Sequence, residues 1–158
     1  MLFRSQAFVM VMNQEATRLG MDSTTYTNPH GLSEKDHLST AADLATLAFT
    51  ALGNPMFADY VSTRERGVVV RGRSGYQRNV IWKNTNQLLA IEGYQGIKTG
   101  TTSKAGACLA SVCLRGDRKL LLVVLGSSSS PSRYTDSRNL YRWAWQKLAG
   151  VNDETGER

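Results

Sequence analysis

Three runs decide how this chain folds: Tyr94-Gln95-Gly96-Ile97-Lys98, then residues 105–114, from Ala105 and Gly106 through Ser111-Val112-Cys113-Leu114, then Lys119-Leu120-Leu121-Leu122-Val123-Val124-Leu125. Each is a short apolar or β-branched stretch bounded by turn residues, which is the pattern of a strand rather than a helix. Gly116-Asp117, between the last two, has the composition of a two-residue hairpin. The three therefore form an antiparallel meander. Residues 120–125 are apolar on both faces, as in a central strand covered from two sides.

On the C-terminal side, Ser127-Ser128-Ser129-Ser130-Pro131 reads as a turn that caps a last helix over 132–149, with Tyr134, Leu140, Tyr141, Trp143, Ala144 and Leu148 as its apolar positions. Residues 151–158 are a polar tail, expected to fray. On the N-terminal side, Asn84-Thr85-Asn86-Gln87-Leu88-Leu89 reads as a short connecting helix. Val61-Ser62-Thr63-Arg64 and Val68-Val69-Val70 read as strands divided near Gly67, and Val80-Ile81-Trp82 as another, beyond the basic turn 71–75. A helix from Ala41 to Leu52 is announced by Ser39 and Thr40 as caps and Asp43 as a capping-box acid, and Gly53-Asn54-Pro55 stops it. A short helix over 56–60 follows. Thr24-Thr25-Tyr26-Thr27 is strand-like, and Asn28-Pro29-His30-Gly31-Leu32 is a turn. Phe8, Val11, Met12, Ala16 and Leu19 share one face of a first helix, with Ser5 as its N-cap and Gly20 as its stop. The fold class is α+β: an antiparallel sheet with helices packed on it.

The length of 158 residues suits one domain, and 41% hydrophobic with 20% charged residues is a globular balance, not a disordered one. No run of eighteen apolar residues marks a membrane span. Nor does the start resemble a secretory signal: Arg4 is the one charge before the apolar 8–12 stretch, and no small-residue cleavage site follows. The first helix is already under way where the sequence begins, which leads us to expect that something upstream is missing. Nineteen Lys and Arg against thirteen Asp and Glu leave +6, a surplus that favours anionic partners without choosing among nucleic acid, acidic lipid and carboxylate substrates. Cys108 and Cys113, if on one strand, lie about 16 Å apart and cannot bridge; both read as small buried or half-buried hydrophobes. His30 and His37 read as loop residues with no metal-ligand spacing around them. The expected cofactor and metal inventory is empty.

Chemistry concentrates at Gly96-Ile97-Lys98-Thr99-Gly100-Thr101-Thr102, read as the end of one strand and the start of the next loop. Lys98 offers an ammonium for a carboxylate, and Thr99 a hydroxyl beside it. Gly100 has no side chain, so a ligand backbone can lie along the strand. The Thr101 amide can face a developing oxyanion.

Lys-Thr-Gly is a signature of serine penicillin-binding proteins and class A β-lactamases. Within that superfamily the chain resembles the low-molecular-mass D-alanyl-D-alanine carboxypeptidases. The resemblance runs through Met12-Asn13, Leu19-Gly20-Met21, Thr27-Asn28-Pro29-His30-Gly31-Leu32 and Ser39-Thr40-Ala41-Ala42-Asp43-Leu44. It continues in Asn84-Thr85-Asn86-Gln87-Leu88-Leu89, the Lys-Thr-Gly segment, Ala105-Gly106 and Ser137-Arg138-Asn139-Leu140, in order from about residue 8 to 149. It implies a serine acyl-transfer site at a sheet edge acting on peptidoglycan stem peptides that end in D-Ala-D-Ala, with β-lactams as inhibitors of the full domain. By that resemblance Lys98 and Thr99 hold the terminal carboxylate, the Thr101 amide completes the oxyanion hole, and the place of action is the cell envelope.

The resemblance is incomplete. No serine has lysine three residues later, so the nucleophile and base of Ser-x-x-Lys are absent from these residues. The one Ser-x-Asn match, Ser137-Arg138-Asn139, follows Lys-Thr-Gly instead of preceding it and reads as part of a surface helix. Residues 1–150 thus correspond to a transpeptidase-like catalytic domain without its N-terminal portion. The chain alone is expected to be inactive, and exposed core faces should make it self-associate. The alternatives are a non-catalytic module binding peptidoglycan peptides or β-lactams, and one half of a split enzyme. No motif supports nucleic-acid binding.

Overall fold

Successive strands that pair through short turns need no crossover, and the meander forms as the sequence implies. The computed structural model describes residues 2–155 and the side chains of 5–150. Strands β3 (Tyr94–Thr102), β4 (Gly106–Arg115) and β5 (Arg118–Ser127) make an antiparallel sheet in that order. A separate two-stranded ribbon holds β1 (Glu65–Arg71) and β2 (Gln77–Lys83). The helices are α1 (Leu2–Arg18), α2 (Ala41–Leu52), α3 (Pro55–Ser62) and α4 (Ser130–Thr155), and a single 3-10 turn spans Gln87–Ala90. The class is α+β. No helix among the described residues is long and apolar enough to cross a membrane.

Two apolar clusters hold the sheet, one on each face. Ala48, Ile97 and Val112 gather Leu52, Phe57, Val61, Ala110 and Leu121 on the α2–α3 side. Leu88, Leu109 and Tyr134 gather Tyr94 on the α4 side. Each fully buried Leu or Val here is worth about 1.5–3 kcal/mol. Caps fix the helix starts: the Thr40 hydroxyl accepts the Asp43 N–H at 3.1 Å, and Asn54 Oδ1 accepts those of Met56 and Phe57 at 3.0 and 3.3 Å. Gly96 has φ +122°, and a Cβ there would meet the Val61 carbonyl oxygen at 3.0 Å, so only glycine lets β3 pass the end of α3 this closely.

The structure departs from the sequence reading in several places. Helix α1 starts at Leu2, so Ser5 lies inside it rather than capping it. Residues 24–27 reduce to one bridge between Thr25 and Leu38, because the segment has no neighbour with which to extend a ladder. Asp43 does not close a capping box; its carboxylate accepts from the Ser23 amide at 3.0 Å and the Thr24 hydroxyl at 2.6 Å, tying the α2 start to the preceding loop. Val61 and Ser62 end α3, and Gly67 sits within one continuous β1. Strand β5 is at the edge of the described sheet and β4 is central; β5 is apolar on both faces because α2 and α4 cover it from opposite sides. Lys-Thr-Gly is inside β3, since pairing with β4 continues to Thr102 opposite Gly106. Helix α4 runs to Thr155, so 151–155 continue it, while 156–158 lie outside the described residues.

Candidate functional site

The pairing of β3 with β4 sets Lys98 opposite Ala110 and Thr99 opposite Leu109. From Lys98 onward, past the register shift between Tyr94 and Ile97, alternation sends neighbours to opposite faces. Ala110 belongs to the α2-side cluster and Leu109 to the α4-side cluster, so Lys98 and Gly100 face α2 while Thr99 and Thr101 face α4. The tetrad is thereby split across the strand. Lys98 is exposed, and its Nζ donates to the Thr99 carbonyl. Above Gly100 the space is open: a Cβ built there meets no heavy atom within 4 Å. The other edge of β3 pairs with no strand among the described residues.

Beside this open face is a cavity of about 410 Å³ between α2 and the sheet, lined by Leu44, Leu47, Phe57, Val123 and Leu125 with Lys98 at its rim. Its walls are almost wholly apolar, which makes Lys98 the one charged group there.

On the opposite face the site rests on α4. Thr99 is buried, with its hydroxyl 2.7 Å from that of Thr85. Arg133 was not singled out from the sequence, yet it is 7% exposed and reaches directly under the tetrad. Its Nη1 donates to the Gly100 carbonyl at 3.0 Å, the Thr101 hydroxyl at 3.0 Å and the Cys108 carbonyl at 3.2 Å. Nη2 donates to the Ser130 hydroxyl at 3.1 Å, and the guanidinium carbon lies 5.3 Å from the Tyr134 ring centroid. No carboxylate pairs with it among the described residues. A buried cation held by neutral acceptors keeps a positive field at the strand. The signal was present in the sequence: Arg133, Ser137 and Tyr141 recur every four residues, one stripe of α4 turned to the sheet.

The polar residues that carried the resemblance mostly staple the backbone. Asn13 exchanges two 2.8 Å bonds with the Tyr26 backbone. The Asn28 amide closes its turn through the Leu32 carbonyl and the Gly31 amide, both at 2.9 Å. Asn84 accepts from Asn86 at 2.9 Å and donates to the Val61 and Thr63 carbonyls at 3.3 and 3.2 Å. Ser33, next to that turn, shares a 2.6 Å bond with the Thr102 hydroxyl and so ties the turn to the end of the site strand. Ser137 is fully buried and donates to the Arg133 carbonyl at 2.6 Å; it faces the sheet, not solvent, and braces Arg133. Cys108 and Cys113 are free thiols, half-buried and buried, and burial pushes the Cys113 thiol up, away from the reactive thiolate. His37 accepts from the Thr27 amide at 3.0 Å, and no cluster of metal-binding side chains occurs among the described residues.

The profile of the D-alanyl-D-alanine carboxypeptidase family matches residues 4–129. The chain belongs to that family. Among its relatives, D-alanyl-D-alanine carboxypeptidase from Streptomyces sp. (strain K15) is 31% identical over 144 residues, covering 90% of this chain and 50% of that protein. The carboxypeptidase DacD of Escherichia coli (strain K12) is 34% identical over 146 residues, or 91% of this chain and 36% of that one. Among solved structures, the crystal structure of the Streptomyces K15 DD-transpeptidase superposes with a TM-score of 0.84 at 32% identity over 88% of this chain and 54% of its own. DacD from Francisella tularensis gives 0.78 at 28% identity over 89% of this chain and 45% of its own. The chain thus spans half, or less, of the curated carboxypeptidases it matches.

Proposed function

We propose that this chain forms the carboxylate-holding and oxyanion-side wall of a serine acyl-transfer site for peptides ending in D-Ala-D-Ala, as found in the cell envelope. The observation that supports it best is the edge of β3 that pairs with no strand among the described residues, with Lys98 exposed, open space over Gly100 and Arg133 fixed beneath. A substrate backbone lying along that edge would pair as an added strand. Its terminal carboxylate would meet Lys98, while the buried Thr99 hydroxyl, 2.7 Å from that of Thr85 on the other face, would hold the strand in place for that contact. The Thr101 amide is assigned to the oxyanion.

Acyl transfer also needs an activated nucleophile, and these 158 residues hold no Ser-x-x-Lys. The chain by itself should therefore bind without turning over. Titrating it with a peptide ending in D-Ala-D-Ala and with the C-terminal amide of the same peptide tests the wall: the acid should bind and the amide should bind about tenfold or more weakly, as loss of a charged hydrogen bond requires. Equal binding would overturn the assignment. A fluorescent penicillin should leave no label that survives denaturation, and such a label would overturn the inactivity.

The apolar cavity beside Lys98 and the outer edge of β5, which pairs with no strand among the described residues, favour a second reading, in which another polypeptide supplies the nucleophile and completes the sheet. An in-frame Ser-x-x-Lys in the upstream coding sequence would remove it; a neighbouring separate gene carrying that motif would support it.

A further inference from the structure

Among the described residues the β1–β2 ribbon is anchored at its base. There the Asn84 amide donates to the Arg64 carbonyl at 2.8 Å, and the Asn84 side chain holds the end of α3. Beyond the base both faces are exposed; of the two strands only Val68 and Val80 are half-buried. Residues 64–83 carry Arg64, Arg66, Arg71, Arg73, Arg78 and Lys83 against the single carboxylate of Glu65. Most of the chain's net charge of +6 therefore sits on one hairpin. All six cations are exposed, and none has an ion-pair partner among the described residues.

Apolar side chains are interleaved with those cations. The register puts Val69 and Ile81 on one face and Val70 and Trp82 on the other. Ile81 is 66% and Trp82 62% exposed, and Val69, Val70 and the turn residue Tyr76 are also exposed. Charge alone would suit any polyanion, so the aliphatic side chains decide. A nucleic acid engages cations and flat rings but has less use than a bilayer for three exposed branched side chains, Val69, Val70 and Ile81. An anionic bilayer uses every one of these groups: phosphates for the arginines, the headgroup boundary for Trp and Tyr, and the acyl edge for the branched side chains.

We propose that the β1–β2 ribbon is a docking element for an anionic phospholipid surface, with Arg71, Arg73 and Arg78 at the phosphates and Val69, Val70 and Tyr76 entering the interface. The assignment is independent of the peptide-binding wall on β3. Co-sedimentation of the whole chain with vesicles of phosphatidylglycerol and phosphatidylcholine in equal parts, and with vesicles of phosphatidylcholine alone, tests it. The chain should partition at least about tenfold more strongly to the anionic vesicles, and salt near 0.5 M should abolish the difference. The triple change Arg71→Ser, Arg73→Ser and Arg78→Ser should weaken partition about 100-fold, at the usual contribution of a cation near an anionic surface. Val69→Ser with Val70→Ser should weaken it at unchanged charge, and Phe49→Ser, an exposed position of α2 outside the ribbon, should not. Circular dichroism of each variant checks that it folds, and the salt titration of the unaltered chain needs no variant. Equal binding to neutral vesicles, loss of binding in Phe49→Ser, or capture of a DNA oligonucleotide with no vesicle binding would each overturn the proposal.

Discussion

On the α4 side of the three-stranded sheet, Leu109 is 1% exposed, Ser111 is fully buried against the Tyr141 hydroxyl at 3.0 Å, and the Tyr94 and Tyr141 rings meet edge to face at 5.3 Å. On the α2 side, residues of similar hydrophobicity border a cavity of about 410 Å³, and Phe49 is 77% exposed. One sheet therefore has a finished face and an unfinished one. The finished face fixes Arg133 and Thr99; the unfinished face presents Lys98 and Gly100. Rigidity on one side and access on the other are what a binding wall built on a strand requires.

The comparison breaks first, and most visibly, at the packed face. Leu109→Ala should cost about 2–5 kcal/mol in urea unfolding, whereas Leu47→Ala, at the rim of the cavity, should cost less than half as much because no new void closes over it. Equal losses would mean that the two faces are equally packed. Tyr141→Phe should cost about 1–3 kcal/mol by leaving the Ser111 hydroxyl buried without a partner.

Alkaline pH separates the faces in a second way. Burial pushes the Tyr141 hydroxyl well above its ordinary value, and Tyr94 is raised by the same cause. The folded state keeps the Tyr141 proton after the unfolded chain, near pH 10, begins to release it. Its contribution is thus complete below about pH 10, and stability falls as pH rises further, by up to about 1.4 kcal/mol per pH unit for this group. Urea midpoints between pH 8 and pH 11.5 should show a shallower decline in Tyr141→Phe; an unchanged slope would place the titration elsewhere. The smallest effect on stability, within about 0.5 kcal/mol, is expected for Phe49→Ser. That change should nonetheless lower self-association in sedimentation, and unchanged association would show that the open face is not the sticky one.

Much of this was legible along the chain. Element types followed from local pattern: short apolar runs bounded by turn residues in the meander, a cap at Thr40, and a Gly-Asp turn between β4 and β5. The segments that misled are those whose state depends on a distant neighbour. Residues 24–27 look like a strand and find only Leu38; Ser137 looks like a surface serine and is buried under the sheet. The run 120–125 looked central because apolarity on both faces reports coverage by two layers, not by two flanking strands.

By itself the sequence determined the meander, the helices around it and the family, and it singled out the four residues of the candidate wall, because motif spacing and hydrophobic period are local properties. Only the tertiary structure decided that Lys98 and Gly100 look one way and Thr99 and Thr101 the other, and that a guanidinium 33 positions beyond Gly100 holds them from beneath. The physical reason is that a strand's two faces acquire different meanings only when different layers pack on them.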